Sequence, residues 1–456
     1  MLDHSNIAVL DLTHAGIIIA EKFADLGFNV TAIDVYRTVD EATLSKMGSE
    51  HGIITSKDPA CVDGFDLIVS PAHLDPGYPM LTDAREKRID IMTHHEAVGL
   101  ILSMTGAFDA STVIEITGSK AKTSSASLLA EMLSRKMKVI LHTSRGLELW
   151  EQGHSSTVHL GLSIAPGSIL LAVGRLAELD ITADCYILEV SIGLTGFADA
   201  GIITTLEPDY RIAASTCDAS DSKMRAVSRC KPEEVFFLNA RDTKVLAKAI
   251  KINRAFFTFS DSAELNADLN LYFEDDSLVI DHRGASFSSV LTSNYNSRSY
   301  VTAFAVSVSV AMWMGISTKN ISEVISSFEG LQGRMQEKEL SGRKLIDNSN
   351  SGMDIRSAER SLDYALSKSK TKSKRIIMLL GEEAAQVCEG LPPENVADFV
   401  TRRAKDIGQL ILVGERMQEV GGENLAYASG LDQGLEMALA ASSQSDIILS
   451  CVKCFR

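Results

Sequence analysis

The residues best placed to do chemistry are Thr117-Gly118-Ser119-Lys120-Ala121-Lys122-Thr123-Ser124, where an apolar strand runs straight into a short polar loop that opens a helix. Such a junction points backbone N–H groups and the positive end of a helix at an anion. In this order of residues, Lys122 reaches the β- and γ-phosphates of a nucleotide and the Thr123 hydroxyl ligates Mg²⁺. The general nucleotide-loop pattern also wants glycine at positions 116 and 121, and this chain has Ile116 and Ala121. Only the shorter G-x-x-x-K-T form survives. Four histidines are worth placing as well, although the chain has no His-rich tract. His14 lies in the turn Asp11-Leu12-Thr13-His14-Ala15-Gly16, His73 lies in Pro71-Ala72-His73-Leu74-Asp75-Pro76, and His94 and His95 are adjacent. Neighbouring residues face opposite sides of a strand, or differ by about 100° on a helix, so His94 and His95 do not easily serve one site.

These groups need elements to hold them. Strand and helix signals alternate at 7–12, 15–26, 29–33, 66–70 and 89–93, a parallel βαβ pattern ending near Phe108. Its first turn stands where a dinucleotide fingerprint would be but keeps only Gly16 of the three glycines, with Asp34 at the tip of the second strand. Without glycines the backbone cannot approach a pyrophosphate closely, which argues against a nicotinamide site. A second α/β unit starts with a strand at 112–117, the polar loop and a helix at about 122–135. It continues through strands at 185–190, 201–205 and 235–238. An uncharged stretch at 299–318 carries Thr302, Ser307 and Ser309 and reads as a buried core helix, and a Gly-rich hinge follows at 330–334. The last third repeats the pattern: a strand at 375–380, a helix opened by Pro392-Pro393, a strand at 409–413, a helix near 431–441 and a strand at 446–450.

Length and composition agree with this division. A chain of 456 residues implies roughly three domains, and 45% hydrophobic with 23% charged residues is the balance of a folded globular protein. A net charge of −16 argues against nucleic acid, which needs a basic face, but leaves room for a small anion held by local donors. Seven cysteines, at 61, 185, 217, 230, 388, 451 and 454, are odd in number and scattered, as expected of reduced thiols. Cys451 and Cys454 have C-x-x-C spacing, but with no second pair or nearby histidine they read as ordinary strand-end cysteines. Asp3 and His4 interrupt any leader-like start, so a cytoplasmic, membrane-free protein is expected.

The short loop resembles that of the Mur ligase family, with Ala121 in place of its second glycine. The resemblance runs along nearly the whole chain. It implies an α/β protein of three domains: an N-terminal Rossmann-like substrate domain at 1–108, a central P-loop ATPase-type domain at 109–330, and a C-terminal Rossmann-like domain at 331–456 closing over the nucleotide. It implies ATP and Mg²⁺, with Gly118, Ser119, Lys120, Ala121, Lys122, Thr123 and Ser124 around the phosphates. Glu189, closing the apolar strand Tyr186-Ile187-Leu188-Glu189, is implied as a metal ligand beside Thr123. Asp209 is implied as a further one, although Tyr210 stands where the family carries a histidine. Lys223 lies at about the distance of the family's carbamylated lysine, either a catalytic group or a surface lysine on a polar helix. Asn239 of Asn239-Ala240-Arg241-Asp242 is implied at the adenine, with Arg334 of Gly333-Arg334-Met335 and Asp347 of the third domain on the nucleotide. The family's His-Asn helix signature is missing, with Asn294, Asn296 and Arg298 in its place.

The turn at Asp11 to Gly16, the segments Asp34-Val35-Tyr36-Arg37-Thr38 and Pro71 to Pro76, and those at Ile192 to Gly196 and Asp209 to Ala213 are similar to one branch of the family. That branch acts on the nickel tetrapyrrole of methanogenic archaea. It implies a ligase that activates a carboxylate as an acyl phosphate, releases ADP and phosphate, and closes a carbocyclic ring within one molecule, nickel being carried by the substrate. Thr13, His14, Arg37, His73, His94 and Arg211 are then the candidate substrate-binding residues, with His95 weighed beside them. Two alternatives stay open: an amide-forming Mur ligase for a cell-wall or peptide substrate, and a nucleotide-switched nickel-delivery protein.

Overall fold

The structure is a computed structural model, which describes residues 6–108, 110–231, 233–262, 265–369, 375–383, 390–422 and 424–454. Asp3, His4 and Cys388 lie outside the described residues.

The first sheet holds β1 (Asn6–Leu10), β2 (Asn29–Ile33), β3 (Ile54–Ser56), β4 (Leu67–Ser70) and β5 (Asp90–Thr93), all parallel in the order β3-β2-β1-β4-β5. The central strands are apolar throughout because helices cover both faces: Ile7, Ala8, Val9 and Leu10 are all fully enclosed. Helices α1 (Gly16–Asp25), α2 (Glu41–His51) and α3 (Pro79–Lys87) make crossovers, and α4 (His94–Thr105) follows β5 and leads to the second sheet. Local chemistry fixes their ends. Asp40 accepts the Thr43 N–H at the start of α2, and Thr93 and Glu96 form a reciprocal capping box at the start of α4.

The second sheet has eleven strands, in the order β18-β17-β16-β15-β14-β11-β6-β10-β7-β8-β9. Its strands are β6 (Thr112–Thr117), β7 (Val139–Thr143), β8 (Gly146–Glu151), β9 (His154–His159), β10 (Cys185–Glu189), β11 (Ala200–Ile203), β14 (Val235–Asn239), β15 (Phe256–Ser260), β16 (Leu269–Glu274), β17 (Ser277–His282) and β18 (Ala285–Val290). A small hairpin, β12 (Arg211–Ile212) with β13 (Cys217–Asp218), stands apart. The helices are α5 (Lys122–Ser134), α6 (Ser168–Glu178), α7 (Ala219–Arg229), α8 (Thr243–Lys251), α9 (Val301–Trp313) and α10 (Thr318–Ser327). The uncharged stretch forms α9, buried from Ala303 to Ala311 and packed on α5. Among the described residues no helix is long and apolar enough to cross a membrane. Helix α6 packs against both α1 and α4, so one continuous hydrophobic cluster runs from Ile7 and Val9 of the first sheet to Tyr186 and Leu188 of the second.

The third sheet, in the order β19-β20-β24-β21-β22-β23, is built from β19 (Gln336–Leu340), β20 (Arg343–Asp347), β21 (Ile376–Glu382), β22 (Gln409–Val413), β23 (Leu425–Ala428) and β24 (Ile447–Lys453). Its helices are α11 (Ile355–Lys368), α12 (Pro393–Arg403) and α13 (Leu431–Ala441). The chain divides into two compact units, Met1–Ser289 with Val301–Val324, and Val290–Tyr300 with Ile325–Arg456. The first unit contains the first two sheets, and the third sheet lies in the second unit. The fold is α/β, with three large sheets beside the small β12-β13 hairpin.

Candidate functional site

Strand β6 delivers the polar loop, and its neighbours in the sheet deliver the partners. β10 lies on one side of β6 with Glu189 in register with Ile116, and β11 lies on the other with Ile203 in register with Thr117. Gly118 has φ +146°, and a Cβ there would meet Thr204 Oγ1 at 1.9 Å, so only glycine fits. Thr204 Oγ1 donates to Lys120 O at 2.6 Å and Ser119 N donates to Thr205 O at 2.8 Å, pinning the loop to the end of β11. Ala121 sits before α5 in the left-handed region, φ +66°, with no side chain capping the helix. That explains why glycine suits this position: alanine there costs about 1 kcal/mol.

Lys122 Nζ folds back to donate to Gly118 O at 3.1 Å. Thr123 Oγ1 lies 2.8 and 3.1 Å from the two oxygens of Glu189, which is 2% exposed and also accepts the Ser144 N–H at 3.3 Å. One hydroxyl and one carboxylate, all oxygen, at the start of a phosphate-type loop are a donor set suited to Mg²⁺. Lys223 is fully buried on α7, its Nζ 3.4 Å from Ser119 Oγ and 5.0 Å from the centre of the Tyr210 ring. The surface-lysine alternative does not describe it. Tyr210, where the family carries a histidine, gives Lys223 an aromatic face.

Other sequence candidates are engaged elsewhere. Asp209 is exposed, and its Oδ1 accepts the N–H groups of Tyr210 and of Ser220 in the first turn of α7. Its partial burial opposes ionisation, but the hydrogen bonds from Ser220 and Tyr210 hold its carboxyl below the usual range. Arg211 pairs with Asp218 at 3.0 Å and donates to Ser215 O, bracing its own hairpin. Asn239 is buried and donates to Thr204 O, supporting the wall behind the loop. Arg37 pairs with Asp58 on the surface. Asp347 ends β20 almost fully buried and accepts the Ser349 N–H, and the carbonyl of Arg334 accepts from the Tyr300 hydroxyl, both within the second compact unit.

The histidines divide. His94 is enclosed and donates from Nε2 to Leu10 O at 2.9 Å; burial pushes its pKa down to about 4, keeping it neutral. It therefore ties α4 to β1 instead of facing a cleft. His95 donates to Ser191 O at 2.7 Å, joining α4 to the loop after β10, with its pKa also lowered by burial. His14 and His73, by contrast, stand partly exposed beside the buried Asp11, with Tyr36 edge-on to His14 and Thr13 Oγ1 2.6 Å from Thr38 Oγ1. Asp11 was legible only as part of a turn; its position at the end of a central strand was the available signal.

Sequence reading also missed two buried acids of the central domain. Glu115 accepts from Thr195 N and Oγ1, whereas the enclosed Glu234 has the weakly donating Cys230 thiol as its hydrogen-bonding neighbour. Burial first, and the nearby Glu115 second, push Glu234 up to about 8 from 4.5. A carboxyl whose folded pKa is raised contributes stability below pH 4.5 and loses it as pH rises through about 8. Glu234→Gln is therefore expected to raise the thermal midpoint at pH 8.5 by about 2–4 °C, a gain that fades below pH 4.5. Calorimetric scans at the two pH values check this; an equal shift at both would show that the acid's charge is not the cause.

Both cysteines of the C-x-x-C pair are fully buried, and burial pushes the Cys451 thiol up to about 12, which leaves it a poor nucleophile.

Comparison with known proteins agrees with this arrangement. Residues 116–307 match the Mur ligase middle domain, and residues 337–454 match the family described as coenzyme F430 synthetase CfbE, C-terminal domain. The coenzyme F(430) synthetase of Methanosarcina acetivorans is 48% identical, over the full length of both chains. Among solved structures, Escherichia coli FolC in complex with DHPP and ADP has a TM-score of 0.59 at 14% identity, covering 78% of this chain and 89% of its own. A pseudomurein peptide ligase type C from Methanothermus fervidus has a TM-score of 0.53 at 13% identity, covering 98% of this chain and 96% of its own. At such identity these two speak for the fold alone.

Proposed function

Because the chain belongs to the Mur ligase family, in its coenzyme F430 synthetase branch, we propose that it is an ATP-dependent ligase that closes the carbocyclic ring of a nickel seco-tetrapyrrole acid. In this reading residues 1–108 receive the tetrapyrrole, 109–330 hold ATP, and 331–456 form the third domain. The observation that carries the reading is the Thr123 hydroxyl placed on both oxygens of buried Glu189 beneath the loop that Gly118 opens.

A carboxylate is a poor electrophile, so the substrate acid takes the γ-phosphoryl group of ATP, ADP leaves, and an acyl phosphate forms. A macrocycle carbon then attacks the acyl carbon and gives up its proton as phosphate departs. Mg²⁺, when bound, offsets the charge on the transferred phosphoryl oxygens. The chain's own residues do the positioning. Thr123 and Glu189 would hold the ion, Lys122 would leave Gly118 O for the phosphates, and Lys223, buried against Ser119, supports the loop from below. Because both reacting groups belong to one molecule, holding that molecule in a reactive conformation supplies much of the rate.

Supplying purified protein with ATP, Mg²⁺ and the nickel seco-acid should release one ADP for each ring closed, with the absorbance change and ADP rising together and no amine present. ADP release that depends on an added amine or amino acid would replace this reading with the amide-forming one.

A further inference from the structure

The carboxyl end of the first sheet brings three side chains to a point. Asp11 follows β1, His14 comes three residues later in the turn into α1, and His73 follows β4. The connections from β1 and β4 leave in opposite directions along the order β3-β2-β1-β4-β5, and that crevice is where open parallel sheets take ligands.

Asp11 Oδ2 is the meeting point. His14 Nδ1 lies 2.7 Å from it and His73 Nε2 3.6 Å, and one ligand atom from each of the three groups lies within 4.8 Å of the others. The His73 nitrogen is enclosed and has no hydrogen-bond partner. The turn that assembles the group is tightly built: Asp11 and Ala15 both lie at positive φ, 66° and 68°, and a Cβ at position 16 would meet Asp11 O at 2.0 Å.

We propose that Asp11, His14 and His73 bind one divalent transition-metal ion of the Zn²⁺, Co²⁺ or Ni²⁺ class, at a site separate from Thr123 and Glu189. Two imidazole nitrogens and one carboxylate oxygen suit such ions, whereas Mg²⁺ prefers oxygen alone. The ion would give the His73 nitrogen a direct ligand bond in place of its long 3.6 Å approach to Asp11 Oδ2. It is not the nickel of a tetrapyrrole: four macrocycle nitrogens already hold that metal and leave one axial position on each face, too few for three protein ligands. With three ligands from the chain, the ion keeps a position open toward the crevice, where a carboxylate oxygen or water fits. The site does not depend on which substrate the enzyme takes.

Co²⁺ is the probe, because its visible bands report ligation directly. Titrating it into metal-free, full-length protein without nucleotide should give one tightly bound ion per chain. His14→Ala and His73→Ala should each weaken binding about a hundredfold, with circular dichroism and the thermal midpoint showing that each variant is folded. Zn²⁺ should displace the Co²⁺ bands. Should either alanine variant misfold, His73→Gln on the loop after β4 gives the same reading. The proposal is overturned if the wild type takes up no Co²⁺ at stoichiometric concentration, or if the bands persist unchanged in the folded variants.

Discussion

Lys122→Ala is expected to lower ADP release by about a thousandfold, the upper range for removing one positioned group that stabilises transition-state charge. The lysine stands at the first residue of α5, and its ammonium already lies over the loop, donating to Gly118 O. The loop stays pinned to β11 through Thr204 and Ser119 without it, so the thermal midpoint should move far less than turnover. Steady-state ADP release measured beside a melting curve separates the two effects. Retained turnover would mean that the loop does not hold the transferring phosphoryl group. Lys122→Arg should rescue poorly, because a planar guanidinium does not replace a compact ammonium in a loop this tight.

Glu189→Gln tests the other side of the loop. The amide keeps the size of the side chain and can still accept from Thr123 and from the Ser144 N–H, so the local structure should survive. What it loses is the charge. The Mg²⁺ concentration giving half-maximal activity is expected to rise about a hundredfold, with turnover falling even at saturating metal. An unchanged Mg²⁺ requirement would make Glu189 a structural anchor for Thr123 alone.

The strand-loop-helix that carries Gly118 to Ser124 was legible in the sequence because its signal is local. A buried strand, a polar break and a helix start occupy consecutive residues, and the register of β10 beside β6 then sets Glu189 next to Thr123. The core helix α9 was legible for the same reason, as a run of uncharged residues with no capping or breaking signal inside it. The hairpin of β8 and β9 was not. His154-Ser155-Ser156-Thr157-Val158-His159 has no apolar alternation, and it forms a strand because it pairs at the sheet edge, a tertiary cause. The meander of β16, β17 and β18 toward the opposite edge was also missed, although Leu269, Leu271, Leu278 and Ile280 of its inner strands are buried.

Side-chain fate was less legible than element type. Lys223 lies on a polar helix and could equally have been solvated; its burial is decided by the Tyr210 ring and the loop carrying Ser119, both remote in sequence. His94 and His95 could be read as chemistry, yet each gives its Nε2 proton to a backbone carbonyl delivered by another strand or loop, Leu10 and Ser191. Asp209 and Arg211 match the family's order of residues, but helix α7 and the hairpin of β12 and β13 claim their polar atoms. Conversely Asp11, read only as part of a turn, proves to be the point on which His14 and His73 converge.

The most direct measurement is calorimetric titration of the well-folded wild type and Lys122→Ala with magnesium and a non-hydrolysable ATP analogue, substrate present. Uptake of one nucleotide per chain by the wild type, strongly weakened in the variant, is the expected result. A wild type that takes up no nucleotide would contradict the assignment of residues 118–124 as the phosphate cradle and the ligase chemistry built on it.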